Sequence, residues 1–252
     1  MFRSIRFGTL AAGALFLALR LAVAVAAQVP DKLTNLQYFP KDISRQQLIA
    51  AMRGFCFSLE VRCQFCHVEK AGNSLDQMDF ASDEKETKRT ARAMLRMVDA
   101  INQDYIAKMG RTAPVRVECV TCHHRLTTPK TMNALLAETL EKKDLEATLA
   151  LYRKLRKDDL GGGQYDFGET PLNILTESLL AQGKAKDAAA IMELNVGVNT
   201  PPSGWAYNLL ALAHVANKEI EKAKADYRKI LEMNPQDQFA KEQLEKLSSD
   251  KP

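Results

Sequence analysis

Cys63-Gln64-Phe65-Cys66-His67 and Cys119-Val120-Thr121-Cys122-His123 are two copies of one pattern, a pair of cysteines followed directly by a histidine. The two-residue gap sets the thiols about one helical turn apart, the separation of the two vinyl groups of a haem. Each thiol can add to one vinyl group, and the adjacent histidine then faces the iron as proximal ligand. The pattern therefore implies two covalently bound haem c groups, each with its iron. Cys63, Cys66 and His67 would hold one, and Cys119, Cys122 and His123 the other. Two other uses exist for such units: a four-cysteine zinc site and a redox dithiol pair.

The N-terminus bears on that choice. Arg3 and Arg6 precede an apolar run from Gly8 to Ala27, which ends in the small-residue sites Ala24-Val25-Ala26 and Val25-Ala26-Ala27. This reads as a signal peptide over 1–27 and an exported, periplasmic protein. An uncleaved membrane anchor is the alternative, although Arg20 would lie inside the apolar run and is costly at mid-bilayer. Cleavage removes three arginines and no acid, so the net charge falls from +4 to +1. Such a balance excludes a nucleic-acid surface. Four of the five cysteines lie in the two motifs, which leaves Cys56 over. Export turns most cysteine pairs into disulfides, yet it is also what covalent haem attachment requires.

Pro30, Asn35 and Pro40 make residues 28–40 an extended lead-in. Asp42 or Ser44 can cap a helix in which Leu48, Met52, Phe55 and Cys56 share a face. Residues 70–83 read as a polar loop. Ser82 and Asp83 can cap a second helix over 83–109, with Ala91, Met94 or Leu95, Val98, Ile101 and Tyr105 as its stripe. A methionine-bearing helix, a break and a motif thus occur twice. Beyond residue 130 the pattern changes. Leu135 to Leu155, Leu172 to Leu194 and Tyr207 to Met233 each predict a helical hairpin. Tyr207, Leu210, Ala211, Ala223, Tyr227, Ile230 and Pro235 fit the 34-residue tetratricopeptide spacing. Gly161-Gly162-Gly163 reads as a flexible loop between the first two hairpins. The predicted fold is all-α: a multihaem c-type cytochrome module over 28–130, then a tetratricopeptide-like helical-hairpin array over 131–252.

The sixth iron ligand decides the chemistry, because Met or His closes the iron for electron transfer and an open position permits catalysis. Met52 and Met94 can each fold back over a haem, and periodicity alone leaves that reading level with an ordinary core methionine.

Residues 35–128 resemble the cytochrome c subunit of photosynthetic reaction centres, a tetrahaem family. The resemblance lies in Ile43-Ser44-Arg45-Gln46-Gln47-Leu48-Ile49-Ala50-Ala51-Met52 and in Leu59-Glu60-Val61-Arg62 leading into the first motif. It continues in Thr90-Ala91-Arg92-Ala93-Met94-Leu95-Arg96-Met97-Val98-Asp99-Ala100-Ile101-Asn102 and the second motif. It implies Met52 on the first iron and Met94 on the second, with Met97 the runner-up. The departures are as informative. This chain has two motifs where the family has four haems. No histidine lies between Asp104 and Glu118 to reach another haem, and the family lacks the repeat region.

The expected function is therefore an exported di-haem electron carrier, not an enzyme. Its redox partner proteins would include a membrane electron-transfer complex, with protein docking through residues 131–252. A di-haem peroxidase and a haem-bearing structural subunit of a membrane or filament complex are the alternatives. His124 is expected at the surface or on a propionate, Cys56 as a small buried thiol and His214 as structural. Trp205 and Tyr207 are expected in the repeat core. Arg62, Arg125 and Lys130 would pair with propionates or lie on a solvated surface.

Overall fold

A computed structural model of the chain describes residues 32–70, 77–113 and 115–249. The expected signal peptide over 1–27 lies outside the described residues. Helix α1 (Arg45–Leu59) opens on Ser44 through a reciprocal capping box. The Gln47 amide donates to Ser44 Oγ at 3.2 Å, and the Ser44 amide donates to Gln47 Oε1 at 3.1 Å. The helix closes at Glu60, whose φ of 52° is left-handed. The first motif follows at once as a single 3₁₀ turn over Cys63–Phe65.

The stretch expected as a loop over 70–83 contains a short strand, β2 (Met78–Asp79), which pairs antiparallel with β1 (Val68–Glu69) just before it, Val68 opposite Asp79. The helix expected over 83–109 is α-helical only as α2 (Glu86–Ala100). Its start is later because Ser82 and Asp83 are engaged elsewhere. Ser82 Oγ accepts from the Glu84 amide, and Asp83 pairs with Lys88 at 3.2 Å and with Arg92 at 2.6 Å. Its end is earlier because the ladder widens into a π-turn at Ile101–Tyr105 and then a 3₁₀ turn at Ile106–Met109. Asn102 sits at that widening. Its amide donates to the Val98 carbonyl at 3.0 Å, a local bond that competes with the helix ladder. It also donates to Val117 O at 2.8 Å and accepts from Val117 N at 2.8 Å. One side chain thus fixes the strand of chain entering the second motif.

The lead-in is a strap along α2. Arg92 donates to the Asn35 carbonyl at 3.1 Å, Gln37 reaches Asp83 at 2.8 Å, and the Tyr38 hydroxyl donates to Asp99 at 2.7 Å. The second motif is the five-residue helix α3 (Cys119–His123), against which α1 packs. Two consecutive left-handed residues, His124 and Arg125, turn the chain out of it. The Arg125 amide donates to Ser58 O of α1 at 3.1 Å.

Three hairpins follow: α4 (Met132–Lys142) with α5 (Leu145–Asp159), α6 (Glu169–Ala181) with α7 (Ala185–Val198), and α8 (Gly204–Ala216) with α9 (Ile220–Met233). A further helix, α10 (Gln238–Ser249), was not expected; it covers α9 and buries Ala240. The core lies in three successive clusters, one around Leu136, Tyr152, Leu172 and Ile191, one around Met192 and Leu210, and one around Ala211, Tyr227 and Ile230, the last two bridged by Tyr207. Alanines at the crossings, Ala188, Ala211, Ala213 and Ala223, are fully buried and let the helices approach. Each hairpin buries its apolar face against its neighbour, as stacked repeats do. Trp205 departs from expectation: it is 44 % exposed in the first turn of α8, one place off the face that buries Ala206, Leu209 and Leu210. Tyr207 packs between two core clusters as expected. Among the described residues no helix is long and apolar enough to cross a membrane.

The two halves meet at the triple glycine. Arg125 donates to Asp159 at 3.0 Å and to the Gly162 carbonyl, Gln164 donates to Glu60 at 2.6 Å, and Lys130 pairs with Glu138. Arg125 and Lys130 therefore hold acids of the repeat region, whereas Arg62 is exposed. Gly161 and Gly163 have φ of 83° and 87°, and a Cβ on Gly162 would collide with the Asp159 carboxylate and Arg125. The loop is a tight turn that needs its glycines.

Two outcomes follow for urea unfolding of the full chain. Gly162→Ala lowers stability by about 1–3 kcal/mol, the usual cost of overpacking; an unchanged midpoint would mean that the turn has room. Asn102→Ala also costs about 1–3 kcal/mol, since it strands the Val117 amide; a neutral effect would remove Asn102 as the clamp.

Candidate functional site

A tight turn can present two thiols and an imidazole together only if the backbone folds on itself between them. In the first motif the Cys66 and His67 amides both return to the Cys63 carbonyl, at 3.2 and 2.9 Å. In the second, Glu118 caps α3 reciprocally with Thr121, and the His124 amide closes it on Val120 O at 3.0 Å. Cys63, Cys66 and Cys119 are half-buried and Cys122 is exposed; all four thiols are free. Burial raises the Cys66 and Cys119 thiols.

The two histidines are presented differently. His123 Nδ1 lies 2.7 Å from the Leu126 carbonyl. With the hydrogen on Nδ1, that bond orients the ring and leaves the Nε2 lone pair free for a metal. His67 packs edge-on to Phe80 with centroids 5.0 Å apart. Its Nδ1 is buried without a hydrogen-bond partner. Burial, reinforced by the Lys88 charge, lowers its pKa to about 4, so the ring is the neutral base that a metal requires.

The first motif is gripped by the start of α2. Thr87 donates to Phe65 O at 2.6 Å, and Lys85 donates to Gln64 O. Lys88 is only 8 % exposed. Its ammonium donates to Phe80 O at 2.8 Å and Ser82 O at 2.7 Å, the carbonyls flanking β2 and α2. Asn35, Arg92 and Lys88 together hold the Asp83 carboxyl well below the usual carboxylate range. At the other end of α2, burial and the bond to Asp99 push the Tyr38 phenol up to about 12, with Arg116 opposing and Cys119 within electrostatic reach.

Met52 is half-buried on α1. Met94 and Met97 stand one turn apart on α2, at 41 % and 47 % exposed. Cys56 is half-buried in contact with Cys63; burial and that neighbour raise its thiol. His124 is exposed, as expected. His214 is a structural histidine, bonded to Asp226 at 2.6 Å and Glu193 at 3.3 Å far from either motif. Lys88, Asn102, Tyr38 and Asp99 are site neighbours that sequence reasoning missed. Asn102 lies at the end of the resembling stretch, whereas a buried lysine on a polar helix leaves no sequence signal.

These residues fit haem. Each motif offers two thiols on one turn and one imidazole, held by the Leu126 carbonyl for His123 and packed on Phe80 for His67. Apolar side chains around them remain partly open: Phe65, Met94, Met97 and Val120 are 37–47 % exposed. All three apolar core clusters lie beyond residue 131, so the motif half suits a large flat apolar group. Among the described residues no three His, Cys, Asp or Glu side chains converge as a metal site, so the motifs do not come together as the four-cysteine zinc alternative requires.

Known proteins agree with this chemistry. The family described as photosynthetic reaction centre cytochrome C subunit matches residues 25–159. Cytochrome c-554 of Chloroflexus aurantiacus is 31 % identical over 98 residues, which are 35 % of this chain and 22 % of that protein. The chain thus spans about a fifth of the length of this relative. Two solved structures of the first TPR domain of RPAP3, one of the human protein and one bound to an HSP90 peptide, are each 20 % identical to it. They cover 47 % of this chain and 87–88 % of their own, at a TM-score of 0.33. The family match covers more than half of the sequence, runs through both motifs and ends at Asp159, the partner of Arg125. The chain belongs to the photosynthetic reaction centre cytochrome c subunit family of c-type cytochromes.

Proposed function

We propose that this is an exported di-haem c-type cytochrome that carries electrons between redox proteins. The observation that bears most weight is the duplication. Two tight turns each present a pair of thiols and a metal-ready imidazole, and both are tied to the same helix α2, one at each end. Cys63 and Cys66 would hold one haem through thioethers, with His67 on its iron. Cys119 and Cys122 would hold the other, with His123 on its iron. When bound, haem supplies one-electron ferric–ferrous chemistry. The chain's own part would be to orient the imidazoles, through Leu126 O for His123 and the Phe80 packing for His67.

Met52 and Met94 would supply the sixth ligands, with Met97 as the substitute for Met94. Methionine ligation raises the potential, which suits the high-potential end of an electron-transfer chain. The division of labour is a signal peptide over 1–27, the di-haem domain over 28–130 and the repeat domain over 131–252. The repeats would dock the partner, soluble or held in a membrane complex, because stacked hairpins present a continuous surface. Ile174 and Trp205, exposed on α6 and α8, offer apolar contacts there.

Absorption and paramagnetic resonance spectra of the oxidised full chain test the ligands. Met52→Ala and Met94→Ala should each convert one of two low-spin sites to high spin and leave the other intact. Unaltered spectra in both would overturn methionine ligation, and a high-spin iron in the unsubstituted chain would favour an enzyme.

A further inference from the structure

The surroundings of the two motifs carry opposite charge. Around His67 stand Lys88, Arg92 and Lys85, in falling order of influence. Lys88 is buried and locked by two carbonyls, so it cannot swing into water. Asp83 pairs with both Lys88 and Arg92, and Asp79, paired with Lys70 at 3.0 Å, also acts on Lys88, so two anions face four cations there. On the side of the second motif stand Asp99, half-buried and held at 2.7 Å by the Tyr38 hydroxyl, which itself lies within electrostatic reach of Cys119, and the exposed Glu118, which caps α3. Arg116 opposes them from an exposed position, and Arg125 is bonded to Asp159.

We infer that Lys88 and Asp99, at opposite ends of α2, split the potentials of the two haems and give electron flow a direction, from the second motif to the first. The inference rests on the di-haem reading above. A ferric centre carries one more positive charge than a ferrous one. A fixed cation therefore disfavours the ferric form and raises the potential, and a fixed anion lowers it. Burial sharpens both effects, because partly buried charges are screened less by salt than exposed ones. One electron would pass from the haem that Cys119, Cys122 and His123 would hold, leaving it ferric, to the ferric haem that Cys63, Cys66 and His67 would hold, leaving that one ferrous. No bond or proton changes hands. Lys88 and Asp99 act as positioning charges and touch no substrate.

The test is a spectroelectrochemical titration of the haem-loaded full chain after its haem content per chain has been measured. Two haems and two separated waves are expected. Lys88→Met should lower the upper wave alone, Lys88→Arg should leave it in place, and Asp99→Asn should raise the lower wave alone. Either neutral variant should reduce the equilibrium constant for transfer from the second haem to the first, on the order of tenfold. Asp99→Asn stands as an independent arm if Lys88→Met fails to fold. Two haems with a gap that neither neutral variant changes, or a lower wave that moves with Lys88, overturn the inference while leaving the di-haem reading in place. Fewer than two haems per chain overturn both.

Discussion

Helix α2 is held at both ends, and the motif half is organised by that constraint. At its start Lys88, Arg92 and Asp83 tie the helix to the chain after the first motif and to the lead-in strap. At its end Asn102 satisfies both backbone groups of Val117, two residues before the second motif begins. The spacing of the two motifs is therefore set by the length of one helix and its polar clamps. Buried polar bonds of this kind are costly to break because a stranded partner remains desolvated. They can serve where apolar packing is sparse.

Packing is sparse there. Leu48 and Met78 are the buried apolar side chains among the described residues of the motif half, whereas the repeat half buries three successive apolar clusters between Met132 and Ala240. The repeats are stable by ordinary means: alanines at crossings, large side chains between them and α10 over the last face. The motif half instead leaves several apolar side chains partly open, Phe65 and Val120 of the motifs and Met94 and Met97 of α2 among them. Covalent haem, as proposed, would supply the missing apolar surface, so that cofactor and core would be the same object. The junction through Arg125, Asp159 and Gly162 then joins a half held by polar clamps to a half held by its own core.

Much of this was legible in the sequence. The motifs were legible as two tight turns that each carry a cysteine pair and a histidine, and the hairpins announced themselves through tetratricopeptide positions that the structure buries at Leu210, Ala211, Ala223, Tyr227 and Ile230. Ser44 was readable as a cap because Gln47 follows at the capping-box position. Other features were illegible for definite reasons. The start of α2 shifted because Ser82, a good cap by type, closes a local turn on the Glu84 amide, while Asp83 is taken by Lys88, Arg92 and Gln37. The π-turn at Ile101 depends on Asn102 meeting Val117, a long-range contact that no local pattern encodes. Arg125 was expected on a propionate or in water, and its true partner lies 34 residues away. Trp205 looked like core by residue type but falls one place off the buried face of α8. Methionines on a helix read alike as ligands or as packing, and Met94 and Met97 are both partly exposed on α2.

Amide hydrogen exchange on the full chain, compared with and without attached haem, bears most directly on the idea that two haems form the core of the motif half. If they do, residues 132–249 stay protected in both forms, and residues 32–131 are protected only when haem is attached. Equal protection of residues 32–131 in the haem-free chain would contradict it.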